Sequence, residues 1–497
     1  MDLLMNIKYI LAMKAGYHTF LALMLVVANV ADAADVPSQR PNILFIIADD
    51  ASPHFGQAYN CGWVKTPNID RLARGGVVFD NSYTPTAKCA PSRSAILTGR
   101  NPWQLEDAAN HQSQFPVKFV AFSEVLRKAG IHVGGEGKIW GPGAALTIDG
   151  QPRSFGFHNE GTGKNFKAFL KRRPAGEPYF YWFGSHYPHR SYIKDSGIAA
   201  GMKTSDINRV PGFWPDNEII RRDMLDYAVE VEAFDMQVGA LLETLNASGD
   251  ASNTLVIVTS DNGMPFPRSK GHNYDISNRE PMVACWPAGI ARPGRRVAEF
   301  VSFIDLAPTF LDLMGVDGAK GGMSPMTGRS FAKLLRGDPD PSRSFVILGR
   351  ERNDVLARPG TYSGLGYPVR AIREGDLFYI HNFAADRWPC GNPELGLIDT
   401  DASPTKSFIS QLGDKDRFWQ MSFGKRPQVE LFDLAKDPDC INNVADSEAY
   451  ATKVRALRDK LFSELKKQDD PRVFGKGSIF DNYISPKEMK AKQKQAK

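Results

Sequence analysis

Four stretches of the chain lack polar alternation. Residues 42–48, 77–79, 178–185 and 253–260 are continuous apolar runs, the pattern of strands buried on both faces of a parallel sheet. The first ends in Asp49-Asp50 and the last in Asp261-Asn262-Gly263. Helix patterns separate the runs. Residues 66–76 open on Pro67 and close on glycine, and residues 123–129 form a short amphipathic turn pattern followed by a strand at 131–133. Residues 216–246 carry Tyr227, Val231, Phe234, Val238 and Leu241 on one face, which predicts a long core-facing helix. Gly134-Gly-Glu-Gly-Lys138-Ile-Trp140-Gly-Pro-Gly is too rich in glycine for an element interior and reads as a loop. A packing helix is expected over 300–314, with Asp305 as a cap or turn residue. Beyond Pro339-Asp-Pro-Ser the pattern changes to short strands at 344–348, 369–373 and 377–380, then a helix over 448–467.

Apolar strands alternating with helices predict an α/β class with a large, mostly parallel central sheet, followed by a smaller antiparallel sheet with one helix. The N-terminus has Lys8 and Lys14, an apolar run over 20–28 and Ala31-Asp32-Ala33, the order of a secretory signal cleaved after Ala33. The run is short for a membrane span, so export without a stable anchor is expected, to a secreted or periplasmic location. The divisions are then a signal peptide over 1–33, a catalytic domain over 34–340, a C-terminal subdomain over 341–470 and a basic, disordered tail over 471–497. A hydrophobic fraction of 42% and a charged fraction of 24% allow a sizeable core. The formal net charge of +5 suits anionic small substrates but not nucleic acid. Five cysteines at scattered spacing match no zinc site. Apart from Cys89, the four at 61, 285, 390 and 440 allow two disulfides or none.

The candidate chemistry gathers at Lys88-Cys89-Ala-Pro91-Ser92-Arg93-Ser-Ala-Ile-Leu-Thr-Gly-Arg100. Pro91 and Ser92 are first-turn residues, so Cys89 falls at a helix N-terminus with Arg93 one turn on. The helix dipole and Arg93 would make such a thiol acidic and attract an anion. Paired carboxylates at one strand end and an Asp-Asn pair at another imply a hard, oxygen-liganded cation. His186 and His189, three residues apart after the apolar run at 178–185, suit acid–base work.

The string from Cys89 to Arg100, with Asp49-Asp50, the 66–75 run and Asp261-Asn262, resembles the type I sulfatases. His186-Tyr-Pro-His189-Arg and Asp261-Asn-Gly-Met-Pro-Phe-Pro are most similar to the heparan N-sulfatase branch. The resemblance implies the alkaline-phosphatase-like sulfatase fold and conversion of Cys89 to formylglycine by a separate generating enzyme. It implies one calcium ion on Asp49, Asp50, Asp261, Asn262 and position 89. It further implies sulfate contacts from Arg93, Lys138 and Lys270, with His189 as the leaving-group acid and His186 as a second candidate. Arg268 is a weaker neighbour of Lys270. Trp140 stands where the family has a histidine, a departure that points to a reshaped pocket. The expected substrate is a sulfated saccharide, with N-sulfoglucosamine suggested by the branch. Alternatives are an O-sulfate-specific polysaccharide sulfatase, a phosphomonoester or phosphonate hydrolase of the same superfamily, and a non-catalytic binder of sulfated glycans. Glu351, Arg352, Arg370, Trp388 and Lys406 are expected at the substrate mouth.

Overall fold

The computed structural model describes residues 40–157, 165–355, 357–358 and 365–486. The expected signal peptide and the residues from 487 onward lie outside them. Among the described residues, seven strands build the main sheet: β1 Asn42–Ala48, β2 Val77–Phe79, β3 His132–Gly137, β4 Tyr179–Gly184, β5 Thr254–Ser260, β6 Met282–Cys285 and β7 Arg295–Val297. Their order is β7-β2-β6-β5-β1-β4-β3. β6 alone runs antiparallel to its neighbours, and the other pairings are parallel.

Helices α1 Pro67–Gly75, α2 Cys89–Thr98, α3 Phe122–Lys128, α4 Glu218–Ser248 and α5 Leu306–Leu313 cover the two faces. Alternation along β1 divides its side chains between two cores. Leu44, Ile46 and Ala48 pack with α1 and α4, whereas Ile43, Phe45 and Ile47 pack with α2, α3 and α5. The predicted face of α4 is buried throughout, and the helix is held by Asn217 at its N-cap and by a left-handed Gly249 at its end. The helix expected over 300–314 begins only at Leu306, because residues 301–302 pair as a strand with residues 82–83. Asp305 accepts from the Ser302 amide and pairs with Arg343, as a turn residue does.

The glycine-rich stretch is not a loop at its start. Gly134 to Gly137 continue β3 in parallel register with Tyr181 to Gly184. Glycine is required here by crowding. A Cβ at Gly134 would lie 2.4 Å from the Phe169 ring, and one at Gly137 would lie 2.0 Å from the Gly184 carbonyl oxygen. The run was misread because glycine normally weakens a strand unless another chain approaches this closely.

Four antiparallel strands, β8 Phe345–Arg350, β9 Val369–Glu374, β10 Leu377–Asn382 and β11 Val429–Asp433, form the second sheet. The last was not anticipated, since Val-Glu-Leu-Phe-Asp is too short to declare a strand by pattern. Helix α6, Ala451–Lys467, packs Leu457, Leu461 and Leu465 on one face. The other face meets Tyr83, Tyr274 and Phe300 of the main body. From Arg40 onward the chain clusters as one compact unit, so position 340 marks a seam inside it. Within the segment expected as tail, Pro471–Phe474 and Ile479–Asn482 are short helical segments and Phe480 is buried.

All five residues expected at the substrate mouth make contacts within the protein. Arg370 is buried between Glu351 and Asp470, each at 2.7 Å, and Arg472 pairs with Glu351 as well. Arg352 is buried and donates to the Tyr483 carbonyl at 2.6 Å, tying down the C-terminal segment. Trp388 packs edge-on against Trp419, and Lys406 donates to the Leu397 and Thr400 carbonyls. All five cysteines are free thiols. Among the described residues, no helix is long and apolar enough to cross a membrane.

Gly137→Ala is expected to cost about 2 kcal/mol or more, because it adds a backbone clash to a left-handed φ of 72°. Gly130→Ala, at φ 85° with open space around it, is expected to cost only about 1 kcal/mol. Urea unfolding of the two variants distinguishes them, and equal losses would refute the crowding argument.

Candidate active site

Adjacent parallel strands deliver the site from their C-terminal ends. β5, β1, β4 and β3 lie side by side, and Asp261-Asn262, Asp49-Asp50, Ser185 to His189 and Lys138 follow them respectively. This is where open α/β sheets place ligands. The Asp49 amide donates to the Tyr187 carbonyl at 2.9 Å and the Asp50 amide to the Asp261 carboxylate at 3.1 Å, locking the loops together.

Helix α2 brings Cys89 to the cluster. Cys89 is its first residue, with its sulfur 3.3 Å from Asp49 Oδ1 and 3.7 Å from Asp50 Oδ1. Pro91 lies in the first turn as expected. Ser92 does not cap the helix; its hydroxyl donates to the Asp261 carbonyl at 2.6 Å and binds α2 to the end of β5. Arg93, fully buried, reaches Asp261 Oδ2 at 2.7 Å and the Lys138 carbonyl. The expectation of an acidic thiol is overturned. Burial, and next the Asp49 carboxylate, push the Cys89 thiol well above its ordinary value despite Lys138 and Lys270. The helix N-terminus is outweighed by the carboxylates it faces.

Burial and neighbouring Asp261 raise Asp49 to about 6, with Lys138 opposing them. For Asp261, Arg93 and then Lys138 overcome burial and hold the carboxyl below its ordinary value. Lys138 Nζ lies 2.7 Å from Asp49 Oδ2, and Lys270 Nζ lies 2.6 Å from Asp50 Oδ2. Three buried aspartates therefore meet three cations, Arg93, Lys138 and Lys270, at close range.

The donor set fits a hard divalent cation. Oxygen atoms of Asp49, Asp50 and Asp261 and the Cys89 sulfur all lie within 4.8 Å of one another. Asp50 holds a left-handed φ of 75°, a costly conformation that directs it into the cluster. Asn262 is buried and gives its Nδ2 to Asp50 Oδ1 at 2.8 Å, leaving its Oδ1 buried with no partner. An orphaned amide oxygen beside three carboxylates is a ligand set for calcium-type coordination.

The remaining sequence candidates divide. His189 is half-buried, with Nε2 3.8 Å from Asp50 Oδ2 and Nδ1 2.5 Å from the Arg190 carbonyl, so Nδ1 carries the proton in that contact. His186 is exposed at the rim; burial, then Lys138 and Arg93, lower its pKa. Arg268 is not part of the pocket. It donates to the carbonyls of Met421 and Cys440 and stacks 4.0 Å from the Tyr274 ring. Trp140 does not offer its N–H to the pocket, because Nε1 donates to Ser94 Oγ of α2 at 2.8 Å and the ring packs on Phe115 and Phe155. The family histidine is thus replaced by a wall residue.

Other groups border the site that sequence reading did not assign. Lys88, immediately before Cys89, is buried and pairs with Asp354 at 3.0 Å, and His111 and Gln112 hold the same carboxylate at 3.0 and 2.9 Å. Asp401 lies 3.4 Å from Lys270. Lys88 was visible as the neighbour of the cysteine; nothing in the sequence marks Asp354, His111 or Asp401.

This fold, with a helix-borne cysteine over a strand-end acidic cluster, is that of the alkaline-phosphatase-like sulfatases. A family profile described as Sulfatase matches residues 41–316, and the chain belongs to the sulfatase family of sulfuric ester hydrolases. The chain is 27% identical to the N-sulphoglucosamine sulphohydrolase of Homo sapiens, over 90% of this chain and 94% of that one. It is 28% identical to an ulvan-active sulfatase of Formosa agariphila, over 90% and 84% of the two chains. Among solved structures, one in complex with its substrate D-glucosamine-2-N,6-O-disulfate shares the fold with a TM-score of 0.61 at 20% identity, covering 87% of this chain and 99% of that one. The phosphonate monoester hydrolase of Agrobacterium radiobacter has a TM-score of 0.57 at 19% identity, covering 86% and 96%.

Trp140→Phe is expected to lower stability by about 1 kcal/mol through the lost bond to Ser94 and to leave kcat for sulfate release within about threefold. A larger loss of kcat at unchanged melting temperature would place the indole in the chemistry.

Proposed function

We propose that this enzyme is an exported, calcium-dependent sulfatase that removes sulfate from a saccharide, with N-sulfoglucosamine as the leading substrate. The observation that carries the reading is the charge arrangement around position 89. Three aspartates balance three cations there. A bound divalent cation would leave the site with net positive charge, suited to a sulfate monoanion. Asp49, Asp50, Asp261 and Asn262 would hold calcium, which would polarise a sulfate oxygen.

The Cys89 to Arg100 motif supports conversion of Cys89 to formylglycine by a maturation enzyme. The hydrated aldehyde supplies the oxygen that attacks sulfur. Arg93, buried and fixed by Asp261, orients the first turn of α2, while Lys138 and Lys270 stabilise charge on the sulfate oxygens during attack. As an imidazolium, His189 gives its Nε2 proton to the departing amine or alcohol and is left neutral, its Nδ1–H remaining on the Arg190 carbonyl. His186, at the rim, is the candidate base for release of sulfate and return of the aldehyde.

The N-sulfated substrate is supported by the human relative and by the His186-Tyr-Pro-His189 and Asp261 to Pro267 motifs. A second reading, an O-sulfated polysaccharide, is supported by the ulvan-active relative at similar identity. Phosphonate hydrolysis rests on the fold alone.

The test is sulfate release from N-sulfoglucosamine and glucosamine 6-O-sulfate, with conversion at position 89 verified by peptide mass. Release from the first alone is expected; release from the second alone keeps the chemistry and discards the N-sulfated substrate. An intact thiol in protein from the native host would sink the enzyme mechanism. His189→Ala is expected to lower kcat by about 10²- to 10⁴-fold, most for the poorer leaving group. Calcium is expected to raise the melting temperature of the wild type, worth about 2.7 kcal/mol at a hundred times its Kd, and Asp261→Asn is expected to abolish most of that shift.

A further inference from the structure

The C-terminal part of the chain also sends charged side chains to the cluster, through Asp354 to Lys88 and Asp401 to Lys270. Asp401 is the more distinctive of the two. Its side chain is 26% exposed and lies 3.4 Å from Lys270, the same ammonium that reaches Asp50 at 2.6 Å. Among the described residues that 3.4 Å ion pair is its closest polar contact, and no hydrogen bond engages its carboxylate. That ion pair ties it to the cation that meets Asp50, and charges on Lys270 and Lys88, then Asp354 and His189, act on it. The neighbouring Asp354 differs, since Lys88, His111 and Gln112 already engage its two oxygens. Asp354 is engaged and Asp401 has acceptor capacity to spare.

An ionised carboxylate is acceptor-only. Beside a cationic sulfate pocket it cannot serve the sulfate, whose oxygens it would repel. It can serve a donor on the group that carries the sulfate. Sugar hydroxyls are such donors, and hydrogen bonds to a charged acceptor are the strong kind. We propose that Asp401 is a specificity-determining residue that binds a ring hydroxyl of the sugar beside the scissile sulfate. The inference rests on the saccharide sulfatase reading above and adds the residue that reads the sugar.

A pure sugar contact is made equally in the ground and transition states, so its loss raises KM and leaves kcat. The experiment uses full-length, converted enzyme and whichever of the two monosulfated glucosamines the wild type hydrolyses faster. Inorganic sulfate serves as a competitive probe of the cationic pocket. Asp401→Ala is expected to raise KM roughly tenfold, from the loss of one charged hydrogen bond, with kcat within about threefold. Asp401→Asn keeps an acceptor oxygen and is expected to recover part of the loss; it also covers the case in which the alanine variant fails to fold. The inhibition constant of inorganic sulfate is expected to stay level or fall, because a nearby negative charge has been removed.

An unchanged KM in both variants would overturn the inference. A fall in kcat with KM unmoved, or a sulfate inhibition constant that rises in step with KM, would also overturn it, by assigning Asp401 to holding Lys270. Wild-type enzyme inactive on both sugars despite verified conversion would remove the glucosamine reading and move the same comparison to ulvan, where an unchanged KM in both variants overturns the inference.

Discussion

Three carboxylates, Asp49, Asp50 and Asp261, are buried at one point at the C-terminal end of the central sheet. Each ion withdrawn from water costs several kcal/mol unless compensated, so this point dictates much of what surrounds it. Arg93 is fully buried to meet Asp261, Lys138 follows β3 to meet Asp49, and Lys270 returns from the loop after β5 to meet Asp50. The same compensation leaves an amide oxygen on Asn262 without a partner and a strained Asp50 backbone. Such costs are borne by the packing of β1 into two cores and are characteristic of a site built to accept a further charge.

The architecture turns this cluster into a pocket with two chemically different sides. The strand ends and α2 supply the acid cluster and its cations. The histidine loop after β4 brings His189 to one side. The C-terminal sheet, anchored by α6 and by the Arg370 to Asp470 and Glu351 pairs, brings Asp354 and Asp401 to the other. The acidic cluster and its cations thus come from the strand ends, and further charged residues come from the later part of the chain.

Two departures show how local context rewrites sequence expectation. Cys89 stands at a helix N-terminus with Arg93 one turn on, which by itself predicts an acidic thiol. Burial by the packed sheet, and next the Asp49 carboxylate that arrives from a strand 40 residues earlier, reverse the effect. Trp140 occupies the family histidine position, yet its indole is spent on Ser94 and on two phenylalanines. In both cases the deciding partners are distant in sequence.

The sequence by itself determined the strands that end in Asp49-Asp50 and Asp261-Asn262, the helix that begins at Cys89 and the buried face of α4. Those features follow from continuous apolar runs, caps and motif spacing, which are local. Only the tertiary structure decided that Gly134 to Gly137 belong to a strand, since crowding by Phe169 and Gly184 is a long-range contact. It also decided that Arg370, Arg352 and Glu351 are internal ties, and that Lys88, Asp354, His111 and Asp401 line the site. Charged residues look alike in sequence whether they face water, a buried partner or a substrate. Their roles are set by which opposite charge folding brings within about 3 Å, where the desolvated interior makes the pair count.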